Sequence, residues 1–280
     1  MIKIGNYNKL KISRLADFGA YFNAGNGVEI LIPSRYLAEA PEVGQELDVF
    51  VYTDSEDRLI ASTEHPFIQV GQFAFLQVVD VHPRMGAFLD WGITAKDLLC
   101  PFNEQRTRMT KGGLYCVYAY LDDATKRVVC SSKIEKYLGN VYPNYRPHQI
   151  VEALVVRRTE IGYMAIVNNL HAGMIYVDEL IAHPEIGQTV TAYVKKVRDD
   201  GKLDLTLKDT NGRRAHSLAD AILEYLTANG GVGTITDKSS PDEIAAKFGC
   251  SKKDFKKAVG LLYKVRKIDL KPGKMMLTGK

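Results

Sequence analysis

The chain changes its hydrophobic rhythm once. Up to about residue 208, apolar and polar residues alternate in short runs, the period-two pattern of strands that bury one face. Beyond that point the spacing lengthens to that of helices. Before the change, a single pattern is written three times: Asp17-Phe18-Gly19-Ala20-Tyr21-Phe22, Arg84-Met85-Gly86-Ala87-Phe88-Leu89 and Glu160-Ile161-Gly162-Tyr163-Met164-Ala165. Each sets a glycine between bulky apolar residues. A glycine inside a strand marks a bulge or a sharp bend, and such bends recur at the corners of small closed barrels.

Other landmarks keep step with the three glycines. A strand opens at Gly5-Asn6-Tyr7 and again at Gly71-Gln72-Phe73. A turn leads into an alternating strand at Val43–Val51, at Gly113–Tyr120 and at Ile186–Val194. A charged hairpin then leads into a last strand at Asp57–Ser62, Lys126–Ser131 and Gly201–Thr206. Each unit therefore predicts about five short strands, the profile of a small all-β barrel. The expected divisions are barrels over 1–65, 66–136 and 148–210, with a linker over 137–147 that is rich in Pro, Asn and Tyr. Phe18 and Tyr21 stand three apart, so on a regular strand they face opposite ways. A bulge between them brings both to one face. Two readings of the pair stay open: a platform on which bases stack, or core of the barrel.

From residue 213 onward the pattern predicts a compact helical domain. Leu218, Ile222, Tyr225 and Leu226 share one helical face between Ser217 and Ala228. Ser240-Pro241-Asp242-Glu243 is a helix start with a serine cap, a proline in the first turn and a glutamate three residues after the cap. Ile244, Ala245 and Phe248 form that helix's apolar side, and Gly249 ends it. Ser251 caps a third helix lined by Phe255, Val259 and Leu262. A hairpin follows, with its turn at Pro272-Gly273. Helix, helix-turn-helix and hairpin make a winged helix, expected over 213–280. The fold class is thus mainly β with a C-terminal α+β domain: tandem five-stranded barrels, then a winged helix-turn-helix.

Charge adds an asymmetry to this picture. The net charge is +4, but from Arg213 to the end there are 14 Lys/Arg against 7 Asp/Glu. The remainder carries a small acidic excess. A basic terminal domain suggests a polyanion partner, although such faces are often merely solvated. The third helix carries Lys252, Lys253, Lys256 and Lys257 and no Arg, Asn or Gln. Lysines alone suit phosphate contact, which is blind to sequence.

Composition excludes several classes. No apolar run approaches the ~20 residues that span a bilayer, and Met1-Ile2-Lys3-Ile4-Gly5 opens no signal peptide. Cys100, Cys116, Cys130 and Cys250 form no Cys-x-x-Cys pair, and no two histidines stand at ligand spacing, so no metal is expected. Free thiols point to a reducing cytoplasm. There is no nucleophile elbow, no phosphate-binding Gly-x-x-x-x-Gly-Lys, and no His-Glu-x-x-His. The paired acids Asp122-Asp123 and Asp199-Asp200 fall in hairpins. Neither catalytic residues nor a cofactor is expected.

Each barrel unit resembles the S-one motif, the five-stranded oligonucleotide-binding barrel with an aromatic-Gly-Ala-aromatic strand. Phe18-Gly19-Ala20-Tyr21 and Met85-Gly86-Ala87-Phe88 carry that strand in the first two units. Ala172-Gly173-Met174-Ile175-Tyr176-Val177 and Leu203-Asp204-Leu205-Thr206-Leu207-Lys208 carry the later segments of the motif in the third. The motif's histidine falls on Tyr176 there, and near Ile32 and Cys100 in the other two. The aromatic pair is reduced to Ile161 and Met164 in the third unit. Three such barrels and a winged helix resemble the conserved virulence factor B family along nearly the whole chain. That resemblance implies RNA binding linked to control of gene expression.

The RNA-contacting residues expected on this basis are Phe18, Tyr21, Arg58, Met85, Phe88, Trp91, Arg127, Tyr176 and Lys202, with Lys252, Lys253, Lys256 and Lys257 on phosphates. Arg58, Arg127 and Lys202 each follow a hairpin aspartate (Asp54, Asp123, Asp199) and read either as RNA contacts or as local ion pairs. Trp91 reads either as core or as site. The partner expected is single-stranded RNA, with DNA through the winged helix as the alternative and a protein scaffold with degenerate barrels as a third reading. No membrane partner is expected.

Overall fold

The computed structural model describes residues 2–25, 27–37, 41–180, 182–208 and 213–278. The stretch 209–212, where the sequence places the end of the third barrel and the change to helix, lies outside the described residues. The chain forms two compact units. One holds Met1–Tyr145, Val151–Ala192 and Lys196–Leu205; the other holds Arg146–Ile150, Tyr193–Lys195 and Thr206–Lys280.

The first barrel consists of β1 (Asn6–Ala16), β2 (Gly19–Asn23), β3 (Glu29–Pro33), β4 (Glu46–Thr53) and β5 (Leu59–Ser62). The second consists of β6 (Phe73–His82), β7 (Gly86–Ile93), β8 (Lys96–Pro101), β9 (Leu114–Leu121) and β10 (Val128–Ser131). The third consists of β11 (Ile150–Arg158), β12 (Gly162–Val167), β13 (His171–Tyr176), β14 (Thr189–Val197) and β15 (Leu203–Thr206). All three close with the same strand order, first-second-third-fifth-fourth, and the fifth strand runs parallel to the third.

The repeated glycine has one cause in all three barrels, and it is not the expected bulge. Gly19, Gly86 and Gly162 open the second strand directly against the third. A Cβ there would stand 2.1 Å from the Ile32 carbonyl oxygen, 2.2 Å from that of Cys100 and 2.0 Å from that of Ile175. No side chain fits such an approach. The bulge lies on the first strand instead, where Ser13, Val79 and Val156 are each the extra residue. The Ser13 hydroxyl donates to the Tyr21 carbonyl at 2.8 Å, satisfying a group at the irregular ladder. The bulge sets Arg14, Asp80 and Arg157 opposite Tyr21, Phe88 and Met164, respectively.

The barrels are joined by shared apolar packing. In β4, Val49 and Val51 fill the first barrel, while Phe50 and Tyr52 pack with the core of the second. The strand is therefore buried on both faces, and its unbroken apolar run Val49–Tyr52 is the signature of that state. Trp91 stands at the junction. It meets Phe50 edge-on at 5.5 Å and Tyr52 at 6.1 Å, and its Nε1 donates to the Ile68 carbonyl at 2.8 Å. Between barrels two and three, Phe73, Ile134, Val156 and Ile166 form a smaller cluster. The tyrosines of the expected linker divide. Tyr137 stacks on Tyr118 at 4.0 Å, the Tyr145 hydroxyl meets His171 Nδ1 at 3.1 Å, and Tyr142 stays exposed.

The winged helix comprises α1 (Arg213–Ala228), β16 (Val232–Gly233), α2 (Pro241–Phe248), α3 (Lys252–Lys264), β17 (Ile268–Lys271) and β18 (Lys274–Leu277). Ser240 and Glu243 cap each other reciprocally at the start of α2, and Gly249 ends it in the left-handed conformation at φ 60°. Ile222, Leu226, Ile244, Phe255, Val259 and Leu262 meet in one core with Ile268 and Met275 of the sheet. Ala245, expected on the apolar side, is exposed. Val232 and Gly233 add a third strand to the expected hairpin, in the order β16-β18-β17. No helix among the described residues is long and apolar enough to cross a membrane.

Candidate nucleic-acid interface

One outward place recurs in the three barrels: the residue just before the corner glycine. Phe18 is 58% exposed, Met85 45% and Ile161 55%, while the residues just beyond the glycine, Ala20, Ala87 and Tyr163, are buried. A large apolar side chain held in water at the same point three times is not needed for packing. Around it, equivalent positions from four strands form the barrel's outer face.

On barrel one this face is aromatic and cationic. Phe18 and Tyr21 meet edge-on at 6.2 Å, so the two rings do share a face, brought together across the Gly19 corner. Arg14 covers one side of Tyr21, its guanidinium carbon 3.6 Å from the ring centroid. That guanidinium is held side-on by Glu29, with Nε to Oε1 at 2.9 Å and Nη2 to Oε2 at 2.6 Å. The hydrogen bonds from Arg14 hold the Glu29 carboxyl below its usual range. Arg58 is paired with Asp54 at 2.8 Å and with Glu56 at 2.8 Å.

On barrel two the same places turn acidic. Asp80 stands where barrel one has Arg14, Asp90 where it has Asn23, and Asp97 where it has Glu29. Partial burial and the charges of Asp90 and Asp80 raise the pKa of Asp97. One expected base contact and one expected ion pair are corrected here. Trp91 is fully buried and its N–H is taken, so it has no face to offer a base. Arg127 does not pair with Asp123. It leaves its own barrel, donating from Nε to Asp57 Oδ1 at 2.6 Å and from Nη2 to the Ser55 carbonyl at 3.3 Å, both on the hairpin of barrel one.

Barrel three has the least aromatic copy of the motif, yet its face lies in a groove of about 470 Å³. Met164 and Met174 line it, and so do Glu135, Leu138 and Gly139, which follow the last strand of barrel two. Arg157, Arg198 and Lys202 edge it. Arg157 pairs with Glu135 at 3.4 Å and Lys202 with Asp200, rather than Asp199, at 2.9 Å. Tyr176 is not a free ring end: its hydroxyl donates to Asp204 Oδ1 at 2.9 Å. Tyr176 sits opposite Gly162, and the residues in that register in the other barrels are Pro33 and Pro101, not Ile32 and Cys100, which point inward and are buried. The sequence pattern alone does not single out Arg14, Arg157 and Arg198. The first two are placed by the bulges, which shift register by one residue. The signal for Arg198 is subtler: in hairpin register it replaces Asp54 and Asp122.

The winged helix differs in kind. Lys253, Lys256 and Lys257 are exposed on α3 and Lys252 is half-buried. Among the described residues none of the four lies within ion-pair distance of an acid, whereas every cation named on the barrel faces does.

Comparison with known proteins agrees with this architecture. Residues 4–64 match the model of the S1 domain and residues 220–277 that of the CvfB-like winged helix domain. The uncharacterized protein YitL of Bacillus subtilis is 28% identical over 94% of this chain and 90% of its own length. Conserved virulence factor B of Staphylococcus epidermidis is 25% identical over 99% of this chain and 95% of its own. A crystal structure of a multidomain protein with nucleic acid binding domains from Streptococcus pneumoniae, 26% identical, covers 98% of each chain with a TM-score of 0.42. With both terminal domains matched and relatives aligned from end to end, the chain is similar along its whole length to the conserved virulence factor B proteins.

Proposed function

We propose that this chain is a non-catalytic RNA-binding protein that acts in the cytoplasm as a post-transcriptional regulator of gene expression. S1 and winged-helix domains are nucleic-acid-binding types, which supports the general class. The observation that carries the finer reading is the exposed apolar side chain before each corner glycine, Phe18, Met85 and Ile161. Unpaired bases offer flat faces to such a surface, and each stacked base contributes ~1–3 kcal/mol whatever its identity. In a duplex those faces are taken by neighbouring base pairs.

The two kinds of domain divide the task. Arg14, Arg58, Arg157 and Lys202 are already paired with carboxylates, so they give up an existing partner to take a phosphate and gain little net charge attraction. The α3 lysines have no such partner among the described residues and supply the salt-sensitive component of binding. Linking several weak sites raises overall affinity through effective concentration. The test is fluorescence anisotropy of the full chain with a short labelled single-stranded RNA of mixed sequence and a duplex DNA of equal length. Tighter binding to the RNA is expected, weakening as salt rises. Equal or tighter binding to the duplex overturns the reading in favour of a DNA regulator led by α3.

A further inference from the structure

Arg198 stands at a position where the other two barrels carry an acid. The hydrogen bonds that close the last hairpin run from Asp54 N to Arg58 O, from Asp122 N to Arg127 O and from Arg198 N to Lys202 O. The three residues are thus equivalent, and barrel three has exchanged a carboxylate for a guanidinium. The exchange is matched elsewhere in the same barrel. Asp204 pairs with Met174 across the parallel strands, where the other barrels set the apolar Ile60 beside Leu31 and Val129 beside Leu99. Tyr176 faces Gly162 where they have Pro33 and Pro101. Three positions have changed together, and their side chains form one cluster.

The cluster fixes the arginine in a defined orientation. Arg198 Nε donates to Asp204 Oδ1 at 2.7 Å, Nη2 donates to the Tyr176 hydroxyl, and that hydroxyl donates to the same Asp204 oxygen. The side-on edge of the guanidinium is therefore used. Among the described residues the end-on edge, formed by Nη1 and the second N–H of Nη2, has no hydrogen-bond partner, and the residue lines the groove with Lys202 and Arg157. A planar fork held at one edge loses little conformational entropy when its other edge binds, and two parallel N–H groups match two oxygens of a phosphodiester.

Resting on the RNA reading above, we infer that Arg198 is a phosphate-binding residue of the barrel-three groove, aimed at a backbone phosphodiester of single-stranded RNA by Tyr176 and Asp204, and that barrels one and two lack this contact. Tyr176 is then a positioning residue rather than a stacking ring, and Asp204 holds the fork without meeting the ligand.

The experiment measures anisotropy of the full-length chain with a labelled single-stranded RNA across a salt series. Arg198→Gln is expected to weaken binding roughly tenfold and to lower the slope of log affinity against log salt by about 0.7, the loss of one phosphate contact. Arg198→Lys keeps the charge and the slope but cannot fill the fork, so it loses affinity by roughly threefold to fivefold. Tyr176→Phe, with the charge intact but its anchor gone, is expected to lose roughly threefold with the slope unchanged. Arg198→Asp restores the residue of the other barrels and is expected to be the weakest. Circular dichroism melts identify any variant that fails to fold, in which case Arg198→Lys and Tyr176→Phe decide. Wild-type affinity and slope in the Arg198 variants, with the parent chain binding RNA normally, overturn this inference and leave the RNA reading standing. A parent chain that binds no RNA removes both.

Discussion

Barrels one and two share strand order, corner glycine and bulge, and yet their outer faces differ in charge. Arg14, Tyr21, Asn23 and Glu29 on the first correspond to Asp80, Phe88, Asp90 and Asp97 on the second. The inward positions did not diverge in this way: Ala20 and Ala87, Phe22 and Leu89, Ile32 and Cys100 are all small or apolar and buried. Packing constrains one face of each strand, and the other is free to be retuned. A barrel's presence in a chain is therefore weak evidence that it binds polyanions; the charge of the positions around its exposed apolar residue decides. On that criterion the proposed RNA reading assigns binding to barrel one, a spacer role to barrel two, which still displays Met85, and the inferred Arg198 contact to barrel three.

Five variants test this contrast. The largest effect is expected at Trp91, which locks the two barrels whose faces differ. Trp91→Ala should cost about 3–5 kcal/mol of stability, read by chemical denaturation, with barrels one and two losing structure in a single transition. A loss confined to barrel two would separate the barrels and weaken the spacer role. Next, Phe18→Ala combined with Tyr21→Ala should weaken single-stranded RNA binding on the order of tenfold, whereas Met85→Ala combined with Phe88→Ala should change it by less than about threefold. Equal losses from the two pairs would erase the contrast. Asp80→Arg gives barrel two the pattern of barrel one and should tighten RNA binding by roughly threefold. The smallest effect is expected from Asp97→Asn. Partial burial and the charges of Asp90 and Asp80 raise the folded-state pKa of Asp97, so its ionisation opposes folding. That penalty is fully present above the raised pKa and absent below the ordinary one. The substitution should then add at most about 0.5 kcal/mol at neutral pH, a gain that vanishes as acid protonates the wild-type carboxyl. A gain that grows in acid would contradict the assignment.

The scaffold was legible in the sequence because its constraints are local. The corner glycines, the alternating strands and the reciprocal Ser240–Glu243 cap are each read within a few residues, and each corresponds to an element of the fold. The outer faces were harder to read, because they depend on register. A one-residue bulge decides that Arg14 and Arg157, not their neighbours, stand opposite the second strand. Counting along the hairpins pairs Arg127 with Asp123, but the side chain reaches a different barrel because the two share a core. Trp91 illustrates the same limit: an aromatic a few residues along from a platform position is as well placed for the junction as for the face, and only the packing of Phe50 and Tyr52 against it decides. The barrel-three groove was invisible for a third reason. Part of its lining comes from Glu135, Leu138 and Gly139, which the linear division assigns to the end of barrel two and the linker.

The central claim is that apolar side chains held outward on the barrels take unpaired bases while α3 takes phosphates. Ultraviolet crosslinking of the full-length chain to single-stranded RNA, followed by mapping of the crosslinked peptides, tests it most directly. Crosslinks are expected in the peptide around Phe18 and Tyr21 and in the barrel-three peptides around Ile161 and Met174, with few around Phe88. Crosslinks confined to the winged helix, with none on any barrel, would contradict it.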